Sequence, residues 1–246
     1  MKHWEQHELA CTKVLTEKYG KYAEFKHIGG SDSTVNDILV TAPHNSFSIE
    51  IKDCPAQCGQ FVLIPNMNER KFVPGKNKLK HSSYTDIIIE YMNDHFDDFC
   101  NAGTKGKSID LPSSILFGWI KETYRYKNVK FFMPNESLIP LDCIDEYFDV
   151  AATYRVKKSG SASPGKAEKK LIQSIYPDVY EESRNLYLNH DHGEFSINGR
   201  NFIFSKRDDR YEIRKLSNTK NANVIFSVFN PHPCRDDKFM RELTAH

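Results

Sequence analysis

The fold of this chain is decided by the stretch NDILVTAPHNSFSIEIKD, residues 36–53. Two β-prone runs, ILVT and FSIEI, flank a cluster of turn-type residues at 43–46, which is the pattern of a β-hairpin. If residues 43–46 form the turn, Ala42 faces Phe47 across the hairpin and Asp37 faces Lys52. The sequence therefore predicts two antiparallel strands in this register.

Three ionisable side chains share one face of the predicted hairpin. Side chains alternate along a strand, so Glu50 and Lys52 project to one side while Ile49 and Ile51 project into the core. Directly paired residues project to the same side, which adds Asp37 to the group. A slip of one residue would separate these side chains, and the apolar Ile49 and Ile51 favour the register that keeps them together.

The cluster of Asp37, Glu50 and Lys52 suits metal-assisted phosphodiester hydrolysis. Two close carboxylates repel each other unless a proton or a cation lies between them. Mg²⁺ prefers oxygen ligands, and the backbone carbonyl of Ile51 can supply a further one. A metal ion activates water and stabilises charge on a phosphoryl oxygen, and a neighbouring ammonium orients that water or stabilises the transition state. We therefore expect catalysis by this cluster with Mg²⁺ as cofactor.

An acidic residue two positions before a lysine carries little information alone. The same triplet occurs at Glu24–Lys26, Glu69–Lys71, Glu168–Lys170 and Asp236–Lys238. The alternative interpretation of Asp37 and Lys52 is an ordinary cross-strand ion pair. The Glu50–Lys52 triplet differs because it lies on an apolar strand, because a second strand starts with Asp37, and because a helix with acidic residues precedes both.

The remaining patterns predict an α/β fold with a mixed sheet. Apolar spacing predicts helices at 3–18, 81–99, 113–122 and 167–175, and strands at 22–28, 129–133 and 147–156. Residues 66–80 are predicted as an exposed basic loop, and residues 194–205, 210–216 and 223–229 as β-rich. We expect a catalytic core at 1–156. A basic loop with a β-rich, DNA-contacting extension follows at 157–246, and it can be continuous with the core.

The spacing of Asn36-Asp37, twelve residues, and Glu50-Ile51-Lys52 resembles the PD-(D/E)xK nuclease signature, here ND-x12-EIK. Asn36 departs from the family pattern, which has proline there. The family core, α-β-β-β-α-β, matches the elements predicted for the first 155 residues, and the layout is most similar to a type II restriction endonuclease. The resemblance implies a restriction-endonuclease-like core in which Asp37 and Glu50 bind the divalent metal and Lys52 positions or activates the attacking water.

The resemblance also implies two further catalytic residues. Many relatives add an acidic residue from the first helix, for which Glu8 is our choice and Glu5 the rival; an ordinary solvated glutamate is the alternative. Some relatives carry a glutamine shortly after the lysine. Gln57 and Gln60 both qualify, and we choose Gln60, against the alternative of a turn-capping amide.

Two local basic clusters predict contact with double-stranded DNA. The net charge of +1 excludes a globally basic protein, but clustered Lys and Arg still neutralise phosphates. The predicted DNA-binding residues are Arg70, Lys71, Lys76 and Lys78 in the first cluster, and Arg155, Lys157, Lys158, Ser159 and Ser161 in the second. A solvated linker is the alternative interpretation of the second cluster.

These features together predict a Mg²⁺-dependent, sequence-specific double-stranded DNA endonuclease of a restriction system. Symmetric cutting of palindromic sites favours a homodimer. The first twenty residues are charged throughout, without the apolar segment of a secretory signal, so we expect a cytoplasmic protein without a membrane span. The open alternatives are a repair or junction-resolving nuclease, a non-catalytic DNA-binding protein, and an unrelated enzyme in which Asp37 and Lys52 form only an ion pair.

Overall fold

The structure is a computed structural model that describes residues 3–30, 35–75, 82–103, 105–157, 160–177, 194–207, 210–216, 221–232 and 237–244. The helices are α1 (His3–Tyr19), α2 (Ser83–Asp94), α3 (Phe96–Phe99), α4 (Ser113–Arg125), α5 (Ile144–Tyr147), α6 (Lys166–Ile175) and α7 (Lys238–Thr244), with a 3₁₀ turn at Leu141–Cys143. The strands are β1 (Glu24–His27), β2 (Ile38–Thr41), β3 (Ser46–Ile51), β4 (Ala56–Asn66), β5 (Lys71–Pro74), β6 (Lys107–Ile109), β7 (Val129–Met133), β8 (Ile139–Pro140), β9 (Asp149–Lys157), β10 (Gly160–Ala162), β11 (Glu194–Ile197), β12 (Arg200–Arg207), β13 (Arg210–Leu216) and β14 (Asn221–Phe229). Within these ranges, every helix is too short or too polar to cross a bilayer.

The chain divides into two compact units. The first comprises Met1–Ala102, Gly106–Arg155 and Asn223–His246, and the second comprises Gly103–Lys105 and Val156–Ala222. The chain returns to the first unit at Asn223, within the stretch 157–246 that we predicted as an extension that can be continuous with the core. The reason is that β14 pairs with β4 and buries its apolar side chains in that unit.

The sheet that carries the candidate site has the strand order β1-β2-β3-β7-β8. The β3–β7 pair is parallel, and the other neighbours are antiparallel. One face, which includes Ile49 and Ile51, packs on apolar residues of α1 and α7. The elements α1, β1, β2, β3, α4 and β7 occur in the predicted α-β-β-β-α-β order, with further elements inserted between β3 and α4. The predicted α/β fold with a restriction-endonuclease-like core is therefore confirmed.

A second sheet of the first unit has the order β5-β4-β14-β9-β6. The prediction of a loop over all of 66–80 is wrong, since β5 lies within it. The reason is that Phe72 is buried against the rings of Phe96 and Tyr154, at centroid distances of 5.2 and 5.3 Å. The single helix predicted at 81–99 is interrupted at His95, which separates α2 from α3.

The second unit contains a four-stranded sheet of order β10-β13-β12-β11 and helix α6. Glu168 of α6 is buried, and its carboxylate accepts hydrogen bonds from Arg200 Nη1 at 2.8 Å and from the Gly165 amide at 2.7 Å. Lys215 Nζ lies 2.6 Å from the same carboxylate. In the Glu168–Lys170 triplet, the acidic residue therefore has a structural role.

The hairpin forms as predicted, but its register is shifted by two residues. Val40 pairs with Phe47, and Ala42 pairs with Asn45 through backbone hydrogen bonds of 2.8 and 3.4 Å. The loop is therefore the two residues Pro43-His44 instead of 43–46, because Asn45 and Ser46 continue the ladder and gain hydrogen bonds that a four-residue loop would forgo. An even shift keeps every side chain on its predicted face.

Candidate active site

Asp37 lies directly before β2, and the observed register places it opposite Glu50, not opposite Lys52 as predicted. Its side-chain Oδ2 accepts a hydrogen bond of 2.7 Å from the Ile51 amide. Its backbone carbonyl accepts hydrogen bonds from the amides of Ile28 and Gly29, at 2.9 and 3.0 Å. These contacts hold the Asp37 carboxylate beside the carboxyl end of β3.

Glu50 and Lys52 form a buried ion pair on the face of β3 that α4 covers. Lys52 Nζ donates to Glu50 Oε1 at 2.8 Å, and the Tyr124 hydroxyl donates to the same oxygen at 3.3 Å. Lys52 Nζ also lies 5.3 Å from the ring centre of Tyr124 and 5.6 Å from that of Phe132. Among the described residues, the other carboxylate oxygen, Glu50 Oε2, is buried without a hydrogen-bond partner.

The electrostatics of the cluster follow from two carboxylates and one ammonium, of which Glu50 and Lys52 are buried. Burial, and then the Glu50 carboxylate, raise the pKa of Asp37 to about 7, although Lys52 and the Ile51 amide oppose this shift. Burial disfavours the Lys52 ammonium, but Tyr124 and Glu50 outweigh it and raise the pKa of Lys52 well above its usual value. Burial likewise raises the pKa of Tyr124, so its hydroxyl stays a neutral donor.

Glu8, our choice for the acidic residue of the first helix, approaches this cluster from α1, and its catalytic role stays a prediction. Its side chain is buried, and Oε2 lies 2.7 Å from His27 Nε2. Its charge contributes to the raised pKa of Asp37. A Cβ atom added at Gly29 would lie 2.5 Å from Glu8 Oε2 and 3.1 Å from Asp37 Cα, which shows how closely the two acids approach this glycine. The rival residue Glu5 is less buried than Glu8.

Gln60 occupies a different environment from the one that its predicted role implies. It is exposed on β4, and Gln57 Nε2 donates to its Oε1 at 3.2 Å. The buried residue of this segment is Cys58, whose thiol has a pKa raised to about 12 by burial, with Lys52 and Glu50 both close enough to influence it. The catalytic role of Gln60 stays a prediction.

The donor set fits a hard cation, although it is small. In the part of the chain that the structure describes, no group of three His, Cys, Asp or Glu side chains could hold a metal. The candidate ligands are therefore the carboxylates of Asp37 and Glu50 with the carbonyl of Ile51. Mg²⁺ commonly binds through one or two carboxylates and keeps several waters. The buried, unpaired Glu50 Oε2 and the repulsion between the two carboxylates both fit a cation at this point.

The predicted DNA-binding residues are described only in part. Arg70 is exposed, its Nη2 lies 2.6 Å from Asp97 Oδ2, and its guanidinium lies 5.3 Å from the ring centre of Phe96. Lys71 is exposed in β5 and Arg155 is partly exposed in β9, while Lys157 and Ser161 lie in β9 and β10. The positions outside the described residues are Lys76, Lys78, Lys158 and Ser159.

Three functional candidates escaped the sequence analysis. Tyr124 and His27 contact Glu50 and Glu8, yet they come from segments with no signature of their own. Gly29 follows the predicted strand at 22–28, and the two consecutive glycines at 29–30 were the available signal that the backbone passes close to other atoms there.

The comparisons with known proteins agree with this architecture. The chain is similar to the HhaI endonuclease solved in complex with DNA, with 33% sequence identity and a TM-score of 0.77. The match covers 99% of this chain and 100% of that chain. No protein-family model and no curated protein sequence matches the chain. Because this identity extends over 99% of this chain and 100% of that chain and the fold is shared, the chain belongs to the family of the HhaI endonuclease.

Proposed function

We propose that this protein is a Mg²⁺-dependent endonuclease that hydrolyses double-stranded DNA at a specific sequence, as part of a restriction system. The observation that carries the proposal is the meeting of Asp37, Glu50 and the buried Lys52 ammonium at the end of one strand pair. The structural neighbour is an endonuclease solved with DNA, which supports the same substrate class. Fold similarity alone would not assign an activity, so the proposal depends on these side chains.

The geometry suggests a role for each residue. Asp37 and Glu50, with the Ile51 carbonyl, would hold Mg²⁺, which when bound supplies Lewis-acid stabilisation and a more acidic water. Lys52 keeps its proton because its pKa is raised, so we assign it to orienting the attacking water and stabilising phosphate charge and not to proton abstraction. Glu8 adds a third carboxylate near Asp37, held by His27.

The exposed cations would supply the affinity for DNA. Arg70 lies in the turn between β4 and β5, and Lys71 is the first residue of β5. Both are exposed, so their side chains can contact DNA phosphates. The homodimer expected from the sequence stays a prediction. Light scattering of the protein with and without a short duplex containing one cleavage site would measure the stoichiometry directly.

A cleavage assay with matched lysine variants tests the proposed function. The wild-type protein is incubated with long duplex DNA in Mg²⁺ or EDTA, beside Lys52→Met and Lys26→Met. Lys26 belongs to another Glu-x-Lys triplet, but it is exposed on β1. We expect discrete fragments that require Mg²⁺, a loss of about 10²-fold or more for Lys52→Met, and wild-type cleavage for Lys26→Met.

Other outcomes would select the alternatives. Cleavage of branched or single-stranded DNA with intact long duplex would indicate a repair or junction-resolving nuclease. Tight, salt-dependent binding to duplex DNA without cleavage of any substrate would indicate a non-catalytic DNA-binding protein. Equal losses in Lys52→Met and Lys26→Met would contradict the assignment of the chemistry to this cluster.

A further inference from the structure

We propose that Tyr124 is a positioning residue of this site: it fixes Glu50 Oε1 and supports Lys52, so that Glu50 Oε2 remains available to bind the divalent cation. This inference rests on the proposed function of the same site and assigns a role to a residue outside the nuclease motif. Tyr124 lies in α4, more than seventy residues after Glu50 in the sequence.

The contacts of Tyr124 are specific to its hydroxyl and to its ring. The hydroxyl donates to Glu50 Oε1 at 3.3 Å, while the ring centre lies 5.3 Å from Lys52 Nζ. The ring packs edge-to-face on Phe132 at a centroid distance of 4.8 Å, and the whole residue is only 4% exposed. Tyr124 is thus closely packed, and it contacts both members of the buried ion pair.

The two oxygens of the Glu50 carboxylate differ in their hydrogen bonds. An ionised carboxylate accepts about four hydrogen bonds, shared between its two oxygens. Here Oε1 receives both described donors, Lys52 Nζ and the Tyr124 hydroxyl, and Oε2 receives none from the described residues although it is buried. A buried oxygen without a partner is costly unless something binds it. Glu50 is also close enough to raise the pKa of Asp37, and a cation is the partner that two neighbouring carboxylates favour.

The same end of α4 also supports the segment that carries Asp37, directly before β2. Asn36 Nδ2 donates to the Lys127 carbonyl at 2.7 Å, and Lys127 lies one turn beyond Tyr124. The segment from Tyr124 to Lys127 therefore contacts both Glu50 and the residue before Asp37. This arrangement connects the positions of the two candidate metal ligands through one helix end.

Conservative substitutions at two buried tyrosines separate this role from a general role in packing. Tyr124→Phe removes the hydroxyl but keeps the ring beside Lys52, whereas Tyr124→Leu removes both. Tyr154→Phe is the matched control, because its hydroxyl is also buried and donates one hydrogen bond, to the Leu63 carbonyl at 2.9 Å. The readouts are the Mg²⁺ concentration for half-maximal cleavage, and Mn²⁺ binding to the DNA-free protein followed by electron paramagnetic resonance.

We expect Tyr124→Phe to weaken Mn²⁺ binding and raise the half-maximal Mg²⁺ concentration by about tenfold, the size of one hydrogen bond to a charged group. Its cleavage rate at saturating Mg²⁺ should stay within about threefold of wild type, because the lysine keeps its aromatic support. Tyr124→Leu should lower that rate as well. Tyr154→Phe should lose stability but keep the wild-type metal requirement.

The outcomes distinguish this inference from the proposed function. A Tyr124→Phe protein with wild-type Mn²⁺ binding and Mg²⁺ requirement, beside an active wild type, would overturn the positioning role alone. A wild type that binds Mn²⁺ without cleaving DNA, with weaker binding in Tyr124→Phe, would support the positioning role and refute the nuclease. Absence of both metal binding and cleavage in the wild type would overturn both.

Discussion

Replacing Asp37 by Asn should stabilise the metal-free protein at alkaline pH, although it removes a candidate metal ligand. The pKa of Asp37 is raised from 3.8 to about 7, first by burial and then by the Glu50 carboxylate opposite it. Keeping this group ionised therefore costs folding free energy once the pH exceeds its pKa. An asparagine retains the oxygen that accepts the Ile51 amide and removes that cost.

The sign and size of this change in stability follow from the linkage between proton binding and folding. The folded state binds the Asp37 proton more tightly than the unfolded state, so this group's contribution to stability is present below about pH 4, falls as the pH rises, and is lost above about pH 7. Three pKa units at about 1.36 kcal/mol each give about 4 kcal/mol. Asp37 is partly exposed, so screening reduces this value, and we expect about 2–4 kcal/mol at pH 8. At pH 4.5 the gain should shrink to about 1 kcal/mol or less.

Magnesium should narrow the difference in stability between the two proteins at pH 8. A ligand that binds only the folded state stabilises it by RT ln(1 + [L]/Kd), about 1.4 kcal/mol at ten times the Kd. Wild type should gain this increment, and the increment should grow as the pH rises through about 7 because Asp37 must lose its proton to bind the cation. Asp37→Asn should gain little, and it should lose cleavage.

Urea unfolding followed by circular dichroism at pH 4.5 and pH 8, in EDTA and in Mg²⁺, measures these differences. Asp237→Asn is the control, because Asp237 is an exposed carboxylate paired with Arg241 on α7, and its effect should stay within about 0.5 kcal/mol. The destabilising effect of the Asp37 charge is refuted if Asp37→Asn is no more stable than wild type at pH 8 without metal. It also fails if the gain is the same at both pH values.

Two further predictions concern the backbone around the acids and the DNA surface. Gly29→Ala should lower cleavage by about tenfold or more, because its methyl group would lie 2.5 Å from Glu8 Oε2 and displace that carboxylate. Gly30→Ala, which meets no atom within 4 Å, should cleave as wild type does, and equal rates in the two variants would contradict this. Arg70→Ala should weaken DNA binding and reduce the salt slope by about one, whereas Asp97→Asn should strengthen binding because it releases the Arg70 guanidinium. Gel-shift titrations at several salt concentrations check both, and weaker binding by Asp97→Asn would count against the role of Arg70.

The sequence was sufficient to place the acids and the lysine on one face but insufficient to set their pairing. Residues 43–46 are all common in turns, so their composition does not distinguish a four-residue loop from a two-residue one. The observed loop is shorter, which moves Asp37 from Lys52 to Glu50. Because side chains repeat every two residues along a strand, this error changed the partner and preserved the face.

The environment of Gln60 could not be predicted from spacing. Gln60 and Cys58 are two residues apart on β4, so regular alternation would give them the same environment. Gly59 has a φ of 105°, and the β4–β14 register shifts in this region, so the strand is irregular between them. Cys58 is consequently buried and Gln60 exposed. A bulge of this kind depends on the partner strand, which is about 165 residues away in the sequence.

The position of β3 explains why the site can be recognised from the sequence and why it lowers the stability of the fold. The strand is buried on both faces, and such strands usually read as continuous apolar runs. Glu50 interrupts that run and Lys52 follows it directly. Each loses hydration on burial, at a cost in free energy that an apolar pair would not have. Proteins depart from local structural preferences mainly at functional sites. A buried charged pair on a central strand therefore indicates a functional site more strongly than the motif itself does. If that is correct, the most stable metal-free variants of this protein will be those that remove its chemistry.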